Sequence, residues 1–311
     1  MDNDLNVTYI TFDGHVEVQK YRYLYFLIIF TAYILVICSN STIVCIIVIN
    51  KSLHEPMYIF IAALLINSVL FSNAIYPKLL IDFLSEQQII SYSACLFQWF
   101  IYYTLGGSEY FLLSVMAYDR YVSICQPLQY HTIMRKTTVN ILLILAWLLP
   151  ACQFSVGPLL IANKKLCYFI LEGIICNSTI NKLHCVPSTV QNIYGLILFV
   201  GSVPLPVLFI LFTYTRIFIV TYQSSREVRR KAAQTCLPHL LVLINFSCLM
   251  SYDVLLARLE TDFPKTVRLI MSLQLVIYHP LFNPIIYGIK MKEIYKHLKR
   301  LFLKVKALKT E

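Results

Sequence analysis

Seven long apolar runs dominate this sequence of 311 residues. Each is longer than the ~20 mostly apolar residues that a helix needs to cross the hydrocarbon core of a bilayer. The backbone finds no water at that depth and must bond to itself, so each run is predicted to be a helix. The runs cover 24–49, 57–81, 95–124, 138–161, 193–222, 234–257 and 267–289. We therefore predict an all-α membrane protein: a seven-transmembrane helix bundle over 24–289, with an N-terminal segment (1–23) before it and a tail (290–311) after it.

The composition fits a chain that faces lipid. Hydrophobic residues make up 58% of the chain and charged residues 14%, and the mean hydropathy is +0.68, whereas about a quarter of a soluble domain is charged. The net charge of +10 does not indicate a nucleic-acid partner, because the basic residues are spread over short segments between the runs. We expect membrane lipid as a partner and no nucleic acid.

The distribution of Lys and Arg orients the chain, because cytoplasmic loops carry an excess of both. With seven crossings the termini lie on opposite sides, and the side that holds the tail carries 17 of the 26 basic residues. The N-terminus is therefore predicted to be extracellular and the C-terminus cytoplasmic, in a multi-pass protein of the plasma membrane. The sequons at Asn6 and Asn177 fall on the outer side and are expected glycosylation sites.

The tail after the seventh run carries its own pattern. Ile294, Leu298, Leu301 and Phe302 recur at helical spacing, with Lys and Arg between them. This pattern predicts a short amphipathic cytoplasmic helix on the inner leaflet. The alternative is a basic tail that is merely solvated.

Four motifs lie in order along the runs. LHEPMY (53–58) follows the first run, MAYDRYVSIC (116–125) ends the third, KAAQTCLPHL (231–240) enters the sixth and PLFNPIIY (280–287) ends the seventh. Together they resemble the rhodopsin-like (class A) G-protein-coupled receptors in the version of the odorant (olfactory) receptor family, most of all fish odorant receptors. The resemblance covers nearly the whole chain. It implies a receptor that binds a small odorant in the outer half of the bundle and activates a heterotrimeric G protein, of the olfactory stimulatory type, at the cytoplasmic face.

The resemblance assigns an activation switch to the inner half of the bundle. Asp119 and Arg120 end the third helix, where their side chains can pair, and outward movement of the sixth helix would free Arg120 for the G protein. The alternative is a plain interfacial ion pair. Pro284 permits a kink in the seventh helix, and Asn283 is expected to bond a carbonyl that the proline frees. The full set is Asp119, Arg120, Tyr121, Tyr214, Asn283, Pro284 and Tyr287.

An ionisable residue at membrane depth is costly and indicates function. Glu109 precedes Arg120 by eleven residues, which is about 16 Å along a helix and close to the bilayer midplane. We expect a polar cluster of Glu109 with Asn40, Asn67, Ser68 and Asn283 as candidate neighbours, which holds a sodium ion or a proton, with Glu109 supplying a carboxylate that the second run lacks. The alternative is a protonated, hydrogen-bonded Glu109 that braces the bundle. We expect no other cofactor.

The resemblance places the ligand pocket among the third, fifth, sixth and seventh helices. Asp253 is an acid in this region, and it either meets a cationic ligand or pairs with Arg258 or Lys265. The candidate pocket residues are Tyr102, Tyr103, Gly107, Ser108, Phe199, Val200, Ser251, Tyr252, Asp253 and Gln274.

Four cysteines, Cys95, Cys167, Cys176 and Cys185, lie in or beside the outer loops. Four cysteines allow three pairings. The resemblance implies the pairs Cys95–Cys176 and Cys167–Cys185, and an extracellular position is oxidising enough for both.

Other functions are disfavoured by particular residues. An amine receptor would carry Asp in place of Tyr102, and an opsin would carry Lys in place of Ile277. A transporter would have repeated halves, which the sequence lacks. The seven histidines are scattered and form neither a metal site nor an enzyme site. The remaining alternatives to an odorant receptor are a non-olfactory class A receptor and a membrane transporter.

Overall fold

A computed structural model describes residues 8–186, 188–222, 224–258 and 264–308, and of residues 228, 231, 252–258, 302 and 304–308 it describes the backbone alone. Within these residues the chain forms ten α-helices and three short strands. The helices are α1 (Val18–Ile49), α2 (Pro56–Leu84), α3 (Tyr92–Cys125), α4 (Tyr130–Ile133), α5 (Lys136–Ile161), α6 (Thr189–Ser202), α7 (Pro204–Tyr222), α8 (Arg226–Arg258), α9 (Lys265–Lys290) and α10 (Lys292–Leu308). The strands are β1 (Tyr9–Phe12), β2 (Ile89–Ser91) and β3 (Ile170–Leu171).

The predicted seven-helix bundle is confirmed. The seven apolar runs correspond to α1, α2, α3, α5, the pair α6–α7, α8 and α9. In the part of the chain that the structure describes, six segments are long and apolar enough to cross a membrane, with α6 and α7 taken as one. The exception is α3, which is rich in polar and small residues. This helix packs against α2, α5, α7 and α8, so its polar side chains meet other helices rather than lipid.

Two helix boundaries differ from the predicted ones. Helix α1 begins at Val18, inside the segment predicted to precede the bundle, because apolar content marks only the part of a helix that faces the hydrocarbon. The fifth run is broken at Val203, between α6 and α7. The break follows from Pro204, which has no N–H to donate to the carbonyl four residues before it.

A three-stranded sheet adds to the all-helical prediction. It lies at the end of the bundle that carries the N-terminal segment and both disulfides, which we call the outer face, and the end that carries Arg120 is called the inner end. Strand β1 lies in the centre, antiparallel to β2 and parallel to β3. The N-terminal segment is therefore packed against two outer loops. Gly14 permits this contact, because a Cβ on it would lie 2.5 Å from the carbonyl carbon of Gly173. The strands and the disulfide-bonded loop enclose a small core of their own, formed by Ile10, Phe12, Ile90, Cys95, Leu96, Ile161, Leu171, Cys176, Ile180 and Leu183.

Two prolines inside α9 each leave one carbonyl without its helical partner, because proline has no N–H to donate four residues back. Pro280 frees the carbonyl of Val276, which accepts a hydrogen bond from Tyr76 Oη at 3.2 Å. Pro284 frees the carbonyl of Pro280, which accepts from Asn40 Nδ2 at 3.0 Å. Side chains of α2 and α1 thus complete the backbone bonding of α9. The prediction that Asn283 does this is wrong, since its amide points to other groups.

Candidate functional site

The inner end of α3 holds a buried ion pair. Arg120 Nε donates to Asp119 Oδ2 at 2.9 Å, and Arg120 Nη2 donates to the same oxygen at close range. Asp119 is fully buried, and its second oxygen accepts from Tyr130 Oη of α4 at 2.9 Å. Burial, followed by the Asp119 carboxylate, raises the pKa of Tyr130, so this hydroxyl keeps its proton and remains a donor. Both oxygens of the Asp119 carboxylate thus accept hydrogen bonds, and this carboxylate holds the Arg120 guanidinium against α3.

The other predicted switch residues lie on α3, α7 and α9. Tyr121 is half-buried and packs against the core, and Pro284 lies inside α9. Tyr214 and Tyr287 are buried, and neither hydroxyl has a hydrogen-bond partner among the described residues. The ring of His239 stands edge-on to that of Tyr287, with centroids 5.7 Å apart. Two buried tyrosine hydroxyls are therefore free to form bonds in another arrangement of the helices.

Glu109 is the centre of a polar cluster at mid-bundle. It is 1% exposed, and it accepts from Asn67 Nδ2 on Oε2 and from Asn283 Nδ2 on Oε1, both at 3.0 Å. His279 Nε2 lies 3.3 Å from Oε1. Asn283 Nδ2 also donates to Ser68 Oγ at 3.0 Å. The structure thus joins Glu109, Asn67, Ser68 and Asn283, whereas Asn40 bonds to α9 instead.

The described groups that contact the Glu109 carboxylate are nitrogen groups, which are not the ligands that a sodium ion prefers. A hard cation binds through oxygen atoms, but the carboxylate is met by two amide N–H groups and one imidazole nitrogen. The orientation of the Asn67 amide is fixed by its other contacts. Its Oδ1 accepts from Trp147 Nε1 at 3.2 Å and its Nδ2 donates to the Leu105 carbonyl at 3.0 Å, and neither partner can reverse its role.

The outer half of the bundle contains a cavity of about 800 Å³. Part of its wall is aromatic, with ring centroids 4.9 Å apart for Trp99 and Tyr103 and 5.7 Å apart for Tyr103 and Phe154. Gly157 of α5 makes room for the indole, since a Cβ there would lie 2.6 Å from the Trp99 ring. The walls come from α3, α5 and α6, from Met250 of α8, and from the loop before α6. A cavity of this size accommodates a small organic molecule.

The predicted pocket agrees with this cavity in part. Tyr103, Gly107 and Phe199 line it. The remaining described candidates are Tyr102, Ser108, Val200, Ser251 and Gln274, and none of them lines it. These side chains lie on other faces of their helices. Tyr102 packs on Phe71 of α2, and Val200 is 48% exposed on the outside of the bundle. The side chains of Tyr252 and Asp253 lie outside the described residues.

Two disulfides close the outer face, Cys95–Cys176 and Cys167–Cys185. The first joins the start of α3 to the loop that roofs the cavity, and the second lies within that loop. Asn177 follows Cys176 directly and is 9% exposed. Its Oδ1 accepts from the backbone N–H and the hydroxyl of Thr179. In the folded loop Asn177 thus caps the short 3-10 helix Ser178–Leu183. Its glycosylation stays a prediction, and Asn6 lies outside the described residues.

Several site residues were not predicted. Trp99 and Tyr110 lie on one face of α3 with Tyr103 and Gly107, at the helical spacing of three to four residues, and this stripe could have identified them. Lys182 comes from a loop and has no periodicity to reveal it. The role of Tyr130 likewise depends on how a short loop helix folds back against α3.

Comparisons with known proteins agree with this arrangement. The olfactory receptor family model matches residues 29–305. Human olfactory receptor 10J4 is 33% identical over 302 residues, covering 96% of this chain and 96% of the relative. Human olfactory receptor 11A1 is 32% identical and covers 93% of this chain and 91% of the relative. The crystal structure of squid rhodopsin matches with a TM-score of 0.72 over 94% of this chain and 87% of that chain, at 20% identity, which shows the fold alone.

The family match spans six of the seven apolar runs completely and the first from residue 29. It contains the Asp119–Arg120 pair, the Glu109 cluster and the residues of the cavity. The interpretation of the chain as a receptor, rather than as an enzyme or a transporter, is thereby confirmed. The chain belongs to the olfactory receptor family.

Proposed function

We propose that this odorant receptor binds a small organic molecule in the outer cavity and activates a heterotrimeric G protein, of the olfactory stimulatory type, at its inner face. One observation carries the proposal: a single helix, α3, lines the cavity and also bears the Asp119–Arg120 pair. Trp99 and Arg120 are 21 residues apart, which is about 32 Å along the axis. A ligand on the outer part of α3 and a G protein at its inner end thus act on one rigid element.

The proposed orientation puts the N-terminus outside and the C-terminus inside. The two disulfides lie at the outer end in this orientation, where they are stable, and most Lys and Arg lie at the inner end. Helix α10 then lies on the inner leaflet. Its Ile294 is buried, its Leu301 and Leu303 are exposed, and lysines alternate with these apolar residues, as expected for contact with anionic lipid.

We infer that ligand binding reaches the inner face through aromatic contacts between helices. Tyr110 lines the cavity and packs on Phe246 of α8, with centroids 4.8 Å apart. Phe246 packs in turn on His279 of α9 at 4.3 Å. A ligand that binds more tightly when α8 has moved outward shifts the population to that state. In that state Arg120 is free for the G protein, and Tyr287 can approach Tyr214.

The proposal is tested by Arg120→Ala in cells that contain an olfactory-type stimulatory G protein. We expect ligand-evoked cAMP to disappear while the surface density is unchanged, because the G protein loses its contact. Arg300→Ala, an exposed arginine on α10, is the control and should signal normally. Normal signalling by Arg120→Ala at matched surface density would contradict the proposal. Flux of a solute across the membrane without any cAMP response would instead favour a transporter.

Orientation is tested separately with epitope tags on both ends of the chain. An antibody should bind the N-terminal tag on intact cells and the C-terminal tag only after permeabilisation. If both tags were accessible on intact cells, the proposed topology and the G-protein contact at Arg120 would be wrong.

A further inference from the structure

The mouth of the outer cavity differs in chemistry from its aromatic wall. The residues that form the mouth come from the loop before α6 and from the start of α6. They are the polar side chains of Asn181, Lys182, His184, Gln191 and Asn192. No Asp or Glu lines the cavity among the residues whose side chains the structure describes. A molecule that fills the cavity therefore places one end on aromatic rings and the other among hydrogen-bonding groups.

The charge at the mouth is positive. Lys182 Nζ lies 3.7 Å from Glu172 Oε2, but the same oxygen accepts from Arg268 Nη1 at 2.9 Å. This group contains two cations and one anion, and Arg268 is both the closer and the more buried partner of Glu172. The Lys182 side chain is 43% exposed. Its ammonium is thus held loosely by an acid that Arg268 already neutralises.

A second cation lies beside the mouth. Lys164 Nζ donates to Gln191 Oε1 at 3.2 Å, and this amide is a neutral partner. His184 lies nearby and adds no charge at neutral pH, because burial lowers the pKa of its imidazole. Its ring is held by Tyr92 Oη, 3.1 Å from His184 Nε2. The positive potential at the mouth therefore comes from the two lysines.

We propose that the preferred ligands of this receptor are small carboxylates with an aromatic or hydrocarbon body, and that Lys182 determines this preference. The inference rests on the proposed function of the same cavity. The carboxylate accepts from the Lys182 ammonium and from the amides at the mouth, while the body packs on Trp99, Tyr103 and Phe154. A protonated amine of the same shape would meet the lysines with like charge and find no acid among the described lining residues.

The test compares sets of three compounds that share one skeleton, for example 3-phenylpropanoic acid, its methyl ester and 3-phenylpropylamine, with further sets on linear chains. Ligand-evoked cAMP is measured for each. We expect the acid to be the most potent member of the sets that activate the receptor. We expect Lys182→Gln to weaken the acid by about tenfold or more, since a charge-assisted hydrogen bond is lost. The ester should change less than twofold.

Two further variants serve as controls. Lys182→Arg retains the positive charge and should retain the response to acids. A loss of this response in Lys182→Gln alone is then due to the lost charge and not to altered folding of the loop. Lys265→Gln removes a lysine of the outer face that pairs with Asp13 and does not line the cavity, so both acid and ester should respond as in the wild type. Esters or amines more potent than acids, or equal losses for acid and ester in Lys182→Gln, would overturn the ligand class. If no compound of a broad odorant library acts on surface-expressed receptor, the proposed function itself fails.

Discussion

At the scale of single residues, Asn40 illustrates how one side chain stabilises a helix to which it does not belong. Its Nδ2 satisfies the Pro280 carbonyl that Pro284 leaves free. Replacing it by alanine leaves a buried carbonyl unpaired, which costs about 1–3 kcal/mol. We expect Asn40→Ala to lower the midpoint of thermal unfolding of the purified receptor. Ser39→Ala is the control, because the Ser39 hydroxyl bonds only to carbonyls of its own helix. Equal midpoints for the two variants would show that Asn40 does not have this role.

Single residues also mark where the sequence is and is not informative. Glu109 was predicted to lie near mid-bundle because helical rise fixes its depth relative to Arg120, and its cluster includes Asn67 and Ser68. Asn283 was also expected there and does bond Glu109. Asn40 bonds to α9 instead, because depth along a helix does not tell which neighbouring helix a side chain faces. Tyr102 and Ser108 were placed in the pocket for the same reason, although they lie on other faces of α3.

At the scale of elements, we expect the attachment of strand β1 to depend on pH. His15 follows β1, and its ring lies edge-on to Phe83 with centroids 5.4 Å apart. Burial, with a smaller effect of the Lys78 ammonium, lowers the pKa of His15 to about 4, against about 6.5 in an undocked chain. The docked strand therefore binds fewer protons. Its docking is fully stable above pH 6.5 and weakens as the pH falls towards 4, by about 2 kcal/mol at pH 5.

This dependence is measured by hydrogen exchange of the β1 amides at pH 7 and pH 5, corrected for the intrinsic rate. Protection should fall at pH 5 in the wild type. The variant His15→Phe keeps an aromatic ring but cannot gain a proton, so its protection should be the same at both values. Equal loss of protection in wild type and variant would assign the effect to other groups, such as the Asp13–Lys265 pair.

The elements also separate what apolar patterns can and cannot predict. The seven crossings follow from runs of apolar residues, because the bilayer demands them. Strands β1, β2 and β3 have two to four residues each, and they pair segments that are far apart in sequence. No local pattern encodes such pairing. The N-terminal segment was therefore predicted only as an extracellular segment before the bundle, whereas the structure gives it a strand and the first turns of α1.

At the scale of the whole molecule, the Glu109 carboxylate joins α3 to α2 and α9, and Asn67 joins α5 to the same cluster through Trp147. Asn67, Asn283 and His279 supply nitrogen groups to it, so the carboxylate is stabilised by groups of the protein itself. We expect agonist potency and basal G-protein activation to change less than twofold when sodium is replaced by N-methyl-D-glucamine. The readout is nucleotide exchange on the G protein in isolated membranes. A shift of about tenfold in wild-type potency would show that a cation enters the cluster.

The matched variant is His279→Asn, which removes one nitrogen group from Glu109 Oε1 and introduces an amide oxygen. We expect this receptor to become sensitive to sodium, because the carboxylate then has an oxygen neighbour and an unfilled position.

Glu109→Leu should be less stable than Glu109→Gln. Leucine leaves unpaired each N–H that donates to the carboxylate, whereas glutamine retains one acceptor. The midpoint of thermal unfolding measures this order. If Glu109→Leu unfolded at a temperature as high as that of the wild type, the cluster would not contribute to the packing of these four helices, α2, α3, α5 and α9.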